Sequence, residues 1–468
     1  MKKNFIFLII MINVFSVSFL CSAEKNKSFS LIASSDNTLD GFDHPHSING
    51  LGLNLQTNIF PWLYLDVTFQ MLLDRTNPDA FLPYTYSKSW DHHHMDVEDR
   101  VDKSYEEFAI SNRSQSEITI HSADYQNYIR FGRFRKDWGP GDYSFILSST
   151  ARPFNAVETG FKLKEWGYID SILGSLGKTC SKETKEEQKM IAAHKLTLTP
   201  FDWLSLSVWE AVIFGKRFEL CYISPVSIYF ASQMGTTGDK DNSMMGFDIE
   251  LFPLDSLKLY GSLYIDEIEH DKMDELFTNP KNMFAYYAGL KQEIPFIPSG
   301  ELTFQYTKLE PFVYTHYKQE YNGYKEKINI NYTHDGENIG YPLPPNSDEF
   351  KLRFVFRLAQ SISVDSLITY VRHGDNPGKE GYHIYGDIDK PLDYSKLKKY
   401  PRKNFLHDGI YEKTLSFSGK VTYDNPEKYY GFYGGAGVAF IKNYHNIEDN
   451  DKTKFSMTFG GTYKLPLF

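Results

Sequence analysis

Phe60-Pro61-Trp62-Leu63-Tyr64-Leu65-Asp66-Val67-Thr68-Phe69-Gln70-Met71-Leu72-Leu73 alternates with a period of two. Leu63, Leu65, Val67, Phe69, Met71 and Leu73 share one parity. Tyr64, Asp66, Thr68, Gln70 and Leu72 share the other. Successive side chains of an extended chain point to opposite faces, so this is a strand with one apolar and one mostly polar face. A soluble sandwich and an outer-membrane barrel both use such strands, and the function depends on which this is.

The pattern recurs in pairs joined by short turns. Leu51, Leu53, Leu55, Thr57 and Ile59 lead into Phe60-Pro61, from which the opening stretch returns. Leu196 and Leu198 lead to Pro200 and return through Leu204, Leu206 and Val208. Met245 to Leu251 and Leu257 to Ile265 flank Pro253. Phe350 to Leu358 is followed by Ile362 to Val371, and Leu415 to Tyr423 turns at Asn425-Pro426 into Tyr429 to Phe440. Each reads as a hairpin with proline where no ladder donor is needed. Longer polar stretches separate the hairpins: 87–103, 179–188, 270–282, 341–348 and 374–407. Short turns at one end and long loops at the other are the asymmetry of outer-membrane barrels, and the pattern holds roughly 16 to 18 strands. Short helices are expected in the connections at 179–193 and 271–284.

The N-terminus fits an export signal. Lys2 and Lys3 precede an apolar run from Phe5 to Leu20, and Cys21-Ser22-Ala23 supplies small residues for cleavage after Ala23. A lipoprotein reading at Cys21 is disfavoured by the bulky Leu20 before it. Residues 1–23 are thus expected to be removed, leaving 24–468 as one barrel domain in the outer membrane. No later segment has the apolar length of a spanning helix. Without Lys2 and Lys3, 48 basic residues face 60 acidic ones, a net charge of −12 that argues against a nucleic-acid partner. Aromatics make up 16% of the chain, with 33 Tyr and 36 Phe, which suits aromatic girdles facing outer-membrane lipid. Phe468 ends the chain as a residue the barrel-insertion machinery could read, although it lies off the parity of Phe455 to Tyr463 and Pro466 intervenes. Cys180 and Cys221 remain after maturation, and two cysteines do not make a disulfide framework.

The densest cluster of unusual residues runs from Tyr128 to Asn155. It contains Arg130-Phe131-Gly132-Arg133-Phe134-Arg135-Lys136-Asp137-Trp138-Gly139-Pro140-Gly141-Asp142 and then Ser148-Ser149-Thr150-Ala151-Arg152-Pro153. This succession resembles the Wzi-type capsule-assembly family of outer-membrane proteins. Two further stretches are similar: Tyr332-Thr333-His334-Asp335-Gly336 with Gly340-Tyr341-Pro342 and Pro345 to Asp348, and Tyr370-Val371-Arg372-His373-Gly374-Asp375. The resemblance implies a closed, all-β, antiparallel barrel of 18 strands. It also implies a lectin-like role that holds surface polysaccharide without catalysis, and it calls for no cofactor.

The candidate ligand-binding residues are Arg130, Arg133, Arg135, Trp138, Arg152, His334, Asp335, His373 and Asp375. Arg130, Arg133, Arg135 and Lys136 form a basic cluster that could take an acidic sugar. On strand parity Arg133 and Arg135 share one face, and Arg130 and Lys136 the other. Internal ion pairing is the favoured reading, because buried charges pair. Trp138 could stack on a sugar ring or pack a turn, and packing is favoured. His92, His93, His94, Asp96, Glu98 and Asp99 carry metal-ligating groups, but consecutive histidines in a loop fix no geometry, so a solvated loop is favoured. Thr237 to Asn242 lacks the spacing and terminal Glu of a calcium loop. His334-Asp335 and His373-Asp375 sit at expected strand ends without a nucleophile elbow, so a turn-fixing role is favoured over hydrolysis. Beside polysaccharide binding, a substrate-selective porin with the basic cluster at its constriction stays open, as does a weaker hydrolase reading.

Overall fold

The computed structural model describes residues 27–40, 44–75, 109–177, 189–215, 217–238, 240–269, 274–320, 327–334, 337–374, 403, 405–406, 410–425 and 429–467. The expected signal segment, the 92–99 cluster, Cys180, Asp335, Asp375 and Phe468 lie outside these residues.

The strands are β1 (Lys27–Asp40), β2 (His44–Phe60), β3 (Leu63–Arg75), β4 (Ala109–His121), β5 (Tyr128–Phe134), β6 (Phe154–Leu163), β7 (Gly167–Leu176), β8 (Lys189–Phe201), β9 (Leu204–Gly215) and β10 (Asn242–Leu254). They continue as β11 (Leu257–Glu267), β12 (Met283–Ile294), β13 (Gly300–Leu309), β14 (Thr333–His334), β15 (Glu337–Asn338), β16 (Ser347–Ala359), β17 (Ile362–Gly374), β18 (Tyr411–Asp424), β19 (Tyr430–Lys442) and β20 (Lys452–Pro466). Eighteen of them form one antiparallel sheet in which each pairs with its neighbours in sequence, and β14 and β15 make a separate small ladder. β20 closes on β1, with Ser30 opposite Pro466 and Asp40 opposite Ser456. Closure leaves no unpaired edge, the condition for a sheet that crosses lipid. Pro466 stands at the last ladder position, where a missing donor costs least.

The alternation that opened the sequence sets the two faces of this wall. Leu53 pairs with Phe69 and Leu51 with Met71 on the outside, where Leu51 and Met71 are 65% and 58% exposed. Asn54 and Gln70 point inward and are buried; the Asn54 side-chain amide donates to Thr68 Oγ1 and that of Gln70 to Ser34 Oγ. The expected hairpins β2–β3, β8–β9, β10–β11, β16–β17 and β18–β19 all form.

Short turns lie at one end, the periplasmic end of such barrels. They carry a belt of exposed aromatics: Phe60 stacks on Trp62 at 5.3 Å and Phe201 on Trp203 at 5.4 Å, with Trp166 and Phe296 at neighbouring turns. The other end carries the long connections, including 135–153, 216–241, 268–282, 310–346 and 443–451.

The helix expected at 179–193 is corrected where that range is described; in the range 271–284, residues 274–275 do form a 3-10 turn, and only the last two residues are strand. Residues 189–193 open β8, with Lys189, Ile191 and Ala193 alternating inward against β7 and β9, and Met283 and Phe284 open β12. Two strand neighbours offer these residues complete ladders, which an isolated helix could not. An α-helical turn, α1 (Tyr229–Ser232), lies in the β9–β10 connection.

The barrel has an apolar interior. Ile172, Ile191, Trp209, Ile213 and Tyr264 of the wall pack in one cluster with Phe145, Ile146 and Leu147 of the 135–153 connection and with Val313, Ile330 and Ile339 of 310–346. Each such side chain contributes roughly 1.5–3 kcal/mol by leaving water. The two connections therefore fold inward and fill the lumen beside these strands. On the opposite wall, Asp36, Lys420, Tyr433 and Thr458 face the lumen and are only half-buried.

Candidate functional site

The two inward connections carry the segments singled out in the sequence. The first leaves β5 at the outer end and descends through Trp138 to Gly139-Pro140-Gly141-Asp142. Asp137 braces both of its limbs: Oδ1 accepts the Gly139 N–H at 3.0 Å, and Oδ2 accepts the Ser149 N–H at 3.0 Å. Burial pushes the Asp137 carboxyl up. The tip passes so close to the wall that a Cβ on Gly141 would lie 2.6 Å from Gln305 Oε1. Gly132, which precedes this descent in β5, has φ +148° and a Cβ there would meet Ser116 O at 1.8 Å, so the backbone demands glycine.

Asp142 anchors the tip. Its Oδ1 accepts from Lys291 Nζ at 2.9 Å, and Arg353 lies at 3.9 Å. Burial opposes its charge, but Lys351, Lys291 and Arg353 outweigh that and hold the carboxyl below its usual value.

The second connection locks onto the first. Tyr314 Oη donates to Phe145 O at 3.2 Å and Tyr332 Oη donates to Ile146 O, while the two rings stack at 5.6 Å. The Ser148 N–H donates to Ile339 O at 2.9 Å. Tyr341 Oη donates to Glu349 Oε2 at 2.6 Å and accepts from Gln305 Nε2 at 3.0 Å.

The structure places the basic cluster in two settings. Arg130 faces the lumen, and Glu158 draws it together with Lys136. Arg130 Nε donates to Glu158 Oε2 at 2.9 Å, Lys136 Nζ lies 2.6 Å from Glu158 Oε1, and Tyr128 Oη donates to the same oxygen at 3.0 Å. Arg130 also reaches Glu117 at 3.0 Å. Arg133 points to the outer face one residue before β5 ends. β5 ends at Phe134, so Arg135 no longer shares a strand face with Arg133. It lies in the connection and donates from Nε to Ala151 O at 3.1 Å. Lys195, not singled out in the sequence, makes a second buried pair with Asp248 at 2.9 Å, and Asp248 also accepts from Ser262 Oγ at 2.7 Å.

Trp138 is 5% exposed inside the plug, where its backbone N–H donates to Leu147 O at 3.1 Å. His334 is equally enclosed. Its Nδ1 accepts from the Gly177 N–H at 2.7 Å, which leaves the proton on Nε2, and Nε2 donates to Pro153 O at 3.2 Å. The ring thus ties β14, the β7 end and the start of β6 together. Arg152 is half-buried beside this junction. His373 faces inward at the outer end of β17, opposite Ser347 and Glu412. The structure therefore brings Arg130, Arg135, Trp138, Arg152 and His334 into the plug and leaves Arg133 and His373 at the rim.

The rim holds a further group that the strand pattern did not single out. Lys452 and Lys454 share the inward parity of β20, and their ammonium groups lie 4.2 Å and 4.7 Å from the Tyr444 ring centroid. Lys454 Nζ also donates to Tyr444 Oη at 3.1 Å, and the His445 N–H donates to Glu412 Oε2 at 2.8 Å. The run Tyr444-His445 followed by Lys452 and Lys454 was the available signal. Only the fold shows that the intervening residues return the lysines onto the tyrosine.

The sequence profile of the family described as Capsule assembly protein Wzi matches residues 121–401, more than half of the chain. The chain belongs to the Wzi capsule-assembly family. The matched span contains both inward connections. Among curated proteins, no sequence matches the chain. Wzi of Escherichia coli, described as an outer-membrane protein involved in group 1 capsule assembly and a carbohydrate-binding β-barrel, is similar over 93% of this chain and 84% of its own. The TM-score is 0.55 and the identity 13%. OccAB2 of Acinetobacter baumannii is similar over 95% of this chain and 98% of its own, with a TM-score of 0.50 and 10% identity. At these identities the likeness shows the fold: an outer-membrane barrel of the Wzi type.

Proposed function

We propose that this Wzi-family barrel holds an exported, capsule-type polysaccharide at the outer surface of the outer membrane, without catalysis. The observation that carries the reading is the interlocked pair of inward connections. They use the family's motif residues to pack one side of the lumen, which favours an anchoring role over a porin. His334, the one histidine of the hydrolase reading enclosed in the plug, spends both ring nitrogens on backbone groups.

Contact with the polysaccharide is assigned to the rim. Lys452, Lys454 and Tyr444 offer ammonium groups beside an aromatic face, a combination that suits an acidic sugar. His373 and the outer connections complete the mouth, and Arg130 and Trp138 act from below by holding it in shape. Export with cleavage after Ala23 and recognition of Phe468 by the insertion machinery belong to the same reading.

Deleting the gene and measuring polysaccharide in the cell-bound and medium fractions tests this role. The reading expects polysaccharide to be shed into the medium and retained again on complementation. Unchanged retention contradicts it.

A further inference from the structure

The two faces of β9 carry two separate cores. Trp209, Ala211 and Ile213 point inward to the lumen cluster. Val212 and Phe214 point outward, to the parity of the exposed Leu206 and Val208, yet both are fully covered. They pack with Ala192, Tyr222 and Tyr229 in a second cluster. The β9–β10 connection thus folds down over the outside of the barrel instead of rising into water or entering the lumen.

Its attachment is specific. Glu210 and His194 stand on the outward parity of β9 and β8 and lie 3.3 Å apart. An ionisable pair at that position is costly if lipid touches it. The connection covers it: the Tyr229 N–H donates to Glu210 Oε2 at 2.8 Å, and the Tyr229 ring lies 4.3 Å from the His194 ring. Ser243 Oγ, outward on β10, donates to Gln233 Oε1 at 2.6 Å. Tyr222 Oη donates to Asp241 Oδ2 at 2.7 Å, and Arg217 Nη1 to Asp241 Oδ1 at 2.9 Å.

The surface turned away from the barrel is apolar. Phe218, Leu220, Val226, Ile228 and Met234 are 63–78% exposed. Among the described residues of the other outer connections, only Phe277 and Ile447 are large apolar side chains with comparable exposure. Directly toward the periplasm, the lipid-facing wall continues as an apolar hollow of about 640 Å³ lined by Leu196, Leu206, Val208, Phe247 and Leu263.

We propose that residues 217–238 form a shelf immersed in the outer leaflet, with Phe218, Leu220, Val226, Ile228 and Met234 among lipid acyl chains. The occupant of this surface is lipid, because the shelf lies on the lipid-facing parity and its apolar surface continues the hydrophobic belt. The proposal rests on the barrel fold and is independent of the polysaccharide reading. A shelf of this kind widens the barrel's apolar footprint on one side and seals Glu210 and His194 from lipid.

The test is site-directed spin labelling of the full barrel reconstituted in phospholipid bilayers. Val226→Cys and, separately, Phe218→Cys are labelled in a chain whose other cysteines are replaced by alanine. Leu206→Cys reports the belt and Glu320→Cys the aqueous rim, and heat-modifiable migration verifies folding of each variant. The expected result is greater accessibility to oxygen than to a water-soluble nickel chelate at 218 and 226, as at 206 and opposite to 320. Preferential access to the nickel chelate at both positions overturns the proposal. Protection from both reagents also overturns it, since protein would then cover the shelf.

Discussion

Asp142, in a connection that starts at the outer rim, accepts a hydrogen bond from Lys291, three residues before β12 ends at the periplasmic side. The 135–153 connection therefore spans much of the barrel's interior, and one carboxylate pins its tip. Replacing that carboxylate by the isosteric amide leaves Lys291, Lys351 and Arg353 with only Glu301, Glu349 and Asp365 as counter-charges. Asp142→Asn is expected to cost about 3 kcal/mol, in the range for breaking a buried pair. Amide hydrogen exchange of residues 136–149 should accelerate while the strands stay protected. The pH dependence has a definite sign: the folded carboxyl titrates below its ordinary 3.8. Its stabilisation is present above pH 3.8 and is lost as pH falls through the lower folded value.

Glu158 holds both Arg130 and Lys136 from a fully buried position. Glu158→Gln leaves two cations in the lumen against one fewer acceptor charge and is expected to cost roughly 3–5 kcal/mol. The temperature at which the folded band converts on a detergent gel should fall. A rise would mean that Arg130 and Lys136 pair elsewhere.

His316, in the 310–346 connection, is buried, and desolvation lowers its pKa from 6.5 to about 4. A base depressed in the folded state favours unfolding as acid is added, so this connection should be most stable above pH 6.5 and loosen progressively toward pH 4. Limited proteolysis between these values reads it. His316→Gln should flatten the dependence over that window, and an unaltered profile would assign it to another group.

At the rim, alanine at both Lys452 and Lys454 removes the ammonium groups flanking Tyr444. Polysaccharide affinity should drop about tenfold, the size of roughly 1.4 kcal/mol. Added salt should narrow the difference from the native chain, because exposed charges are screened. Microscale binding titrations at two ionic strengths check both statements.

The fold was legible because one rule governs the wall. Leu53, Phe69, Leu206 and Phe417 repeat outward at period two, and the turns between their strands are short. The plug was less legible. Arg130 and Lys136 could be assigned to one face, but the Glu158 that unites them stands on the following strand, across the whole 135–153 connection. Phe145-Ile146-Leu147 and Ile328, Ile330 and Tyr332 were the available signal, since such residues are too apolar for a solvated outer loop. Their pairing depends on contacts about 190 residues apart, such as Tyr332 with Ile146, separated by 186 positions, which no local pattern encodes. The outer shelf escaped for a related reason: Val212 and Phe214 continue the strand's lipid-facing alternation unchanged, and only the folded chain shows that the following residues cover them.

The most direct measurement is binding of the host cell's own purified surface polysaccharide to the reconstituted barrel, with bilayer conductance recorded on the same preparation. Saturable binding, weakened by alanine at Lys452 and Lys454, together with electrically silent bilayers is the predicted result. No binding, with stable open channels, would contradict the account.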